Sequence, residues 1–154
     1  MFRWCSSSNA NDQRSVTIEC ASDTYHPHAI NSTVYARLID LCVEICKRNG
    51  KKKLLWFGSK EACEAHNPKS DEMIFTAHRF YANKSCPGDW LYSRYGDLAA
   101  RVTARLGEST VVTPGDTVTA FPAVPFTVQV IVLDSKKFRQ SDSRIIEDRY
   151  CLNH

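Results

Sequence analysis

The feature that most constrains this chain is a change of apolar period between residues 15 and 50. From 15 to 21, Val16, Ile18 and Cys20 alternate with Thr17 and Glu19, the period of a strand. From Ser32 onward, Val34, Leu38, Leu41, Cys42 and Ile45 recur at helical spacing. Ser32 is placed as the N-cap, Lys47 and Arg48 fall in the last turn, and Gly50 is set to end the helix. Residues 54–57 and 73–76 are short apolar runs that read as buried strands, the second delivering the chain to His78. Asp89 is placed to cap another helix, with Leu91, Tyr95, Leu98, Val102 and Leu106 on one face and Gly107 just past its end. The order strand, helix, strand, strand, helix predicts an α/β domain with helices packed on a sheet.

The 154 residues suffice for one domain with a sizeable core and a small appendage. Hydrophobic (43%) and charged (24%) fractions are those of an ordinary globular chain. A net charge of +3 does not imply nucleic acid, while a mildly basic surface suits an anionic cell wall. No stretch approaches the roughly 18 to 20 apolar residues of a membrane span. Residues 1–6 lack the basic-then-apolar layout of a secretory signal. The seven cysteines, odd in number and unevenly spaced, read as reduced, mostly buried small apolar residues. Cys86 alone sits in a different setting.

The two ends differ from the middle. Residues 1–14 are polar and turn-rich around a lone Trp4, an opening that a domain rarely has unless something precedes it. Residues 108–125, rich in Thr, Val and Pro, have linker composition. Residues 126–133 read as one strand, and the charged tail after them has no period. Residues 126–154 are too few for a core of their own and are expected to be the incomplete start of a second module.

Chemistry concentrates between Thr76 and Trp90. A histidine at a strand end and a cysteine before the Pro87-Gly88 turn can point into one cleft, and imidazole and thiolate are the ligand types zinc prefers. A catalytic zinc needs three protein ligands and leaves a fourth position for water. The His-x7-Cys spacing alone fits an ordinary surface histidine and a buried cysteine better than a metal site.

The run from Tyr81 to Asp89, with His78 before it, resembles the zinc-binding stretch of the type 2 amidases, which share a fold with peptidoglycan-recognition proteins. It is similar to endolysin amidases of phages that infect clostridia and related Gram-positive bacteria. The run from Arg3 to Asp12 leading into Val16-Thr17-Ile18-Glu19, and the helix end Ile45-Cys46-Lys47-Arg48-Asn49-Gly50, carry the same resemblance, which covers about residues 3–107. It implies an α/β fold with a mixed central β-sheet flanked by helices. It also implies a zinc-dependent N-acetylmuramoyl-L-alanine amidase acting on peptidoglycan, with His78 and Cys86 as two zinc ligands. Lys84 matches a family position that holds Lys or Thr, where an ammonium would stabilise the oxyanion of the attacked amide, or it is simply a solvated loop lysine. Glu19 matches a glutamate proposed to act on the zinc-bound water, although a carboxyl on a buried strand can equally be a structural partner. Trp4 and Asn9 line the saccharide–peptide groove in this reading, or simply pack. His26 and His28 are read as a solvated loop, and Arg79 is assigned no role.

The chain departs from the family at one point. The first zinc-ligand histidine of these amidases lies on an early strand upstream of the matched segment, and here no histidine precedes His26. The resemblance therefore implies a fold missing its first strand, a two-ligand site, and a possible complementing N-terminal fragment. Residues 1–154 are expected to bind zinc weakly and to leave walls undigested until an upstream histidine is restored. The absence of a signal suits an endolysin held in the host cytoplasm before it reaches the wall, with secretion the other route. A non-catalytic peptidoglycan-binding module and an inactive prophage remnant are the competing readings.

Overall fold

The computed structural model describes residues 8–107 and the backbone of 127–134. Trp4, the linker 108–125 and the tail from 135 lie outside the described residues. The elements in chain order are α1 (Asn9–Asp12), β1 (Ser15–Ser22), α2 (Ser32–Arg48), β2 (Lys53–Leu55), α3 (Lys60–Ala65), β3 (Glu72–Ala77), α4 (Asp89–Tyr92), α5 (Tyr95–Gly107) and β4 (Thr127–Asp134), with a 3-10 turn at His78–Phe80 between β3 and α4. The fold is α/β, as expected. Among the described residues no helix is long and apolar enough to cross a membrane.

The strand order is β1-β4-β3-β2, and every pairing is parallel. The mixed sheet implied by the resemblance is therefore corrected among the described strands. Parallel neighbours need a crossover connection, and the connection from β2 to β3 carries α3, a short helix that the apolar periodicity does not reveal. Its signal is local: Ser59 is the N-cap, and its hydroxyl accepts from the Ala62 N–H at 3.2 Å.

The expectation of a separate module from residue 126 is also corrected for its strand. β4 runs between β1 and β3, with Val130 in register with Ile18 on one side and Ala77 on the other. A lone strand leaves a row of N–H and C=O groups unpaired, and a position between two strands satisfies both of its edges.

Helix boundaries follow local capping chemistry. Asn31, one residue before the expected cap, starts α2 by accepting from the Val34 N–H at 2.9 Å. Gly50, at φ +64°, ends it. The second helix is two pieces: α4 starts at Asp89 behind Gly88, the chain turns at Ser93 and Arg94, and α5 begins at Tyr95. Asp89 is thus the first helical residue and not the cap.

α2 and α5 bury their apolar stripes against one face of the sheet. Leu38, Cys42 and Ile45 of α2 and Tyr95, Leu98 and Val102 of α5 close over Ile18, Cys20, Met73, Phe75 and Ala77. Cys20, Cys42, Cys46 and Cys63 are buried free thiols, which agrees with their reading as small apolar residues. Burial pushes the Cys20 and Cys46 thiols up to about 12, so they stay protonated and unreactive.

Candidate functional site

In an open parallel sheet, the loops at the carboxyl ends of the strands form the natural ligand crevice. Here, among the described residues, those loops are 23–31 after β1, 56–59 after β2 and 78–88 after β3. An aromatic cluster underlies them. Trp56 stacks on Phe80 at 5.7 Å and meets Tyr92 and Tyr95 edge-on at 5.5 and 5.0 Å. Each such pair adds about 0.5–1.5 kcal/mol beyond area burial, so the strand ends and the start of α5 are held together where the loops depart.

His78 leaves this platform first. Met73, Phe75 and Ala77 face the α2/α5 core, so Ile74 and Thr76 face the other way, and His78 opens the 3-10 turn that follows. The imidazole is half-buried, and its Nδ1 is buried with no hydrogen-bond partner among the described residues. Burial holds the His78 pKa below its usual 6.5; the Asp12 carboxylate opposes this and the Lys84 ammonium reinforces it. A neutral imidazole is the form that ligates a metal.

The chain then loops out and returns. The Arg79 N–H donates to the Cys86 carbonyl at 3.1 Å, which brings the residue after His78 against Cys86. Cys86 is half-buried; burial first, then Cys20 and Cys42, push the Tyr95 hydroxyl pKa well up, and Arg79 opposes them. Pro87 and Gly88 turn the chain into α4. Gly88 has φ +84°, and a Cβ there would lie 3.0 Å from the His28 Cβ and 3.2 Å from the Pro27 carbonyl oxygen. The loop carrying His26 and His28 therefore touches the turn after Cys86 through Pro27 and His28, while His26 itself is solvated, as expected. The Trp90 N–H donates to Pro27 O at 3.3 Å, and His26 Nδ1 lies 3.8 Å from Asp89 Oδ2.

Glu19 is exposed, so the desolvation expected of a buried strand carboxyl does not apply to it. Its placement follows from the register: Ile18, Val130 and Ala77 are level, which puts Glu19 level with His78, one residue beyond Ala77. Alternation sends Glu19 to the face opposite Ile18 and Cys20. Two strand spacings, roughly 9.5 Å, separate its backbone from that of His78. Lys84 is exposed in the returning loop. Asn9 is exposed on α1, and its Oδ1 accepts from Gln13 Nε2 at 2.9 Å, a bond within its own helix and not to the groove.

Three contributors carry no periodic signal. Asp12 reaches His78 from α1, a helix that the polar stretch 1–14 conceals; its only sequence cue is Ser8, which caps it by accepting from the Asn11 N–H at 3.3 Å. Tyr81 is half-buried beside the same groups, and burial, then Glu64 and Cys63, push its hydroxyl up to about 12. Arg79 ties the loop together. Nothing in the sequence separates it from a solvated arginine.

As a metal centre the site is partial. The orphaned Nδ1 of His78 fits a ligand position, and Cys86 offers a thiolate nearby in the chain. Among the described residues, no three His, Cys, Asp or Glu side chains come together to hold an ion. The chain matches no family model, no curated protein and no solved structure.

Proposed function

We propose that this chain carries the zinc-binding and proton-transfer half of a peptidoglycan amidase. The bond hydrolysed is the amide between the lactyl group of N-acetylmuramic acid and L-alanine of the stem peptide. The observation that carries the reading is the buried Nδ1 of His78, without a partner among the described residues, beside a loop whose return bonds the Cys86 carbonyl to the Arg79 N–H. An orphaned buried ring nitrogen costs about 1–3 kcal/mol, and a bound cation is one partner that removes the cost. The family resemblance supplies the identity of that cation and of the substrate.

His78 and Cys86 would hold the zinc, together with a donor from outside the described residues. When bound, zinc supplies a Lewis acid and an attacking water that ionises near neutral pH. Glu19, exposed and level with His78, accepts a proton from the attacking water and returns it to the departing alanine nitrogen. Lys84 stands over the amide oxygen as it becomes negative. The half-buried imidazole stays neutral, and so available, at pH 7.

The test is a competitive zinc titration of the protein and of its His78→Ala and Cys86→Ser variants, run beside labelling of new alanine amino groups on Gram-positive walls treated with the protein restored by an upstream segment that carries the first ligand histidine. Each substitution should weaken zinc by more than about tenfold. Glu19→Gln should keep the metal and lower alanine release by about 10²–10⁴-fold. Zinc affinity indifferent to both ligand substitutions would overturn the reading. Binding of a soluble muropeptide by the zinc-loaded protein, with no alanine released, would make this a recognition module.

A further inference from the structure

The tip of the returning loop at Asn83, Lys84 and Ser85 is exposed, between Phe80, which stacks on Trp56, and Pro87, which is fully buried. Apolar burial therefore holds the two flanks of the loop, and polar contacts join them. One side chain spans the gap. The Arg79 guanidinium donates from Nε to the Cys86 carbonyl at 3.3 Å and from Nη2 to the Ser85 carbonyl. Nη2 also meets Asp89 Oδ1 at 3.1 Å, and the guanidinium carbon lies 4.3 Å from the centre of the Tyr92 ring. With the main-chain bond from Arg79 N, the Cys86 carbonyl accepts twice from the residue that follows His78. The Arg79 side chain is 23% exposed and Asp89 is 62% exposed, so the buried end of the network is the one on the loop.

We infer that Arg79 is a positioning residue that sets the separation of His78 and Cys86. Its plane fits between the Tyr92 ring below and two carbonyls at its edge, and Asp89 orients it from the solvent side. A lysine keeps the charge but lacks the planar fork, and cannot reach both carbonyls while resting on the ring. The arrangement places the fixed point of the loop at Cys86 and leaves Lys84 on the free tip. Loss of Arg79 therefore changes where the thiol stands without removing any donor.

The inference rests on the zinc reading only for its metal readout, and the experiment has a second readout that does not. Arg79→Lys and Arg79→Gln are compared with the unaltered protein by amide hydrogen exchange across residues 79–88 and by cobalt titration, in which a thiolate-to-cobalt band reports Cys86. Both variants should speed exchange at residue 79 by about tenfold while the amides of α2 are unchanged. Both should lower cobalt affinity about 10–100-fold, lysine doing no better than glutamine. Asp89→Asn, which keeps the guanidinium, should shift both readouts the same way by a smaller factor, and decides the matter if the Arg79 variants fail to fold. Should the unaltered protein show no thiolate band, the zinc reading fails, and the exchange rates alone judge Arg79. Exchange and cobalt affinity within about twofold of the unaltered protein in Arg79→Lys, or exchange unmoved in Asp89→Asn when the others do not fold, overturn the inference.

Discussion

The two faces of the sheet are built from alternate residues of the same strands, and they do different things. On one, Met73, Phe75 and Ala77 meet α2 and α5, and every contributor is closed off from solvent. On the other, Ile74 and Thr76 are covered over β3, while Thr17 is half-buried and Glu19 and Ala21 are exposed over β1. The closed face gains from volume, since each side chain displaces water and fills space. The half-open face keeps polar atoms where water is thin, which is costly for folding and suits chemistry; the buried nitrogen of His78 lies just past the end of β3.

Substitutions can break or sharpen this contrast. The largest effect should come from Phe75→Ala on the closed face. Phe75 is 0% exposed, and its loss should cost about 3–5 kcal/mol in denaturant unfolding. Glu19→Ala, on the same sheet but the open face, should stay within about 0.5 kcal/mol. A comparable cost for both would erase the distinction.

An intermediate effect is expected at the edge of the closed face. The Leu54 N–H donates to Thr103 Oγ1 at 3.0 Å, and that hydroxyl donates back to the Leu54 carbonyl at 3.1 Å, so α5 caps the free side of β2. Thr103→Val keeps the shape and strands both backbone groups, which should cost about 1–3 kcal/mol. An unchanged unfolding midpoint would show that water reaches this edge.

The smallest effect is a pH dependence. Glu72 is buried at the start of β3 and accepts from the Lys69 N–H at 3.0 Å, with His66 Nε2 also at 3.0 Å; these two, in that order, hold its carboxyl below the ordinary 4.5. A lowered carboxylate contributes stability that is complete above 4.5 and is lost as pH falls through the folded value. Urea midpoints measured from about pH 6 to about pH 3 should fall in the native protein, and fall less in Glu72→Gln. Parallel curves would assign the acid sensitivity to other groups.

The long elements were legible in residue order because their signals are periodic. Val16, Ile18 and Cys20 of β1, the stripe of α2 and the stripe of α5 all lie on the buried face that their spacing implies. The shorter elements, α1 and α3, escaped because four and six residues complete too little of a period, and only a capping serine marks each. At the candidate site, His78 and Cys86 stood out by residue type and by the turn after Cys86. Arg79, Asp12 and Tyr81 did not, because what distinguishes them is their neighbours.

The sequence by itself determined the α/β class, the two amphipathic helices, the burial of Cys20, Cys42, Cys46 and Cys63, and the point where the chain turns from strand to chemistry at His78. These follow from local spacing and side-chain type, which act over a few residues. Tertiary structure alone decided that the sheet is parallel and that the strand at 127–134 lies between β1 and β3. It also decided that Glu19 is exposed yet level with His78, and that Arg79 closes the loop onto Cys86. Strand order and register are settled by pairings between residues tens of positions apart, where backbone groups find partners that no local pattern specifies.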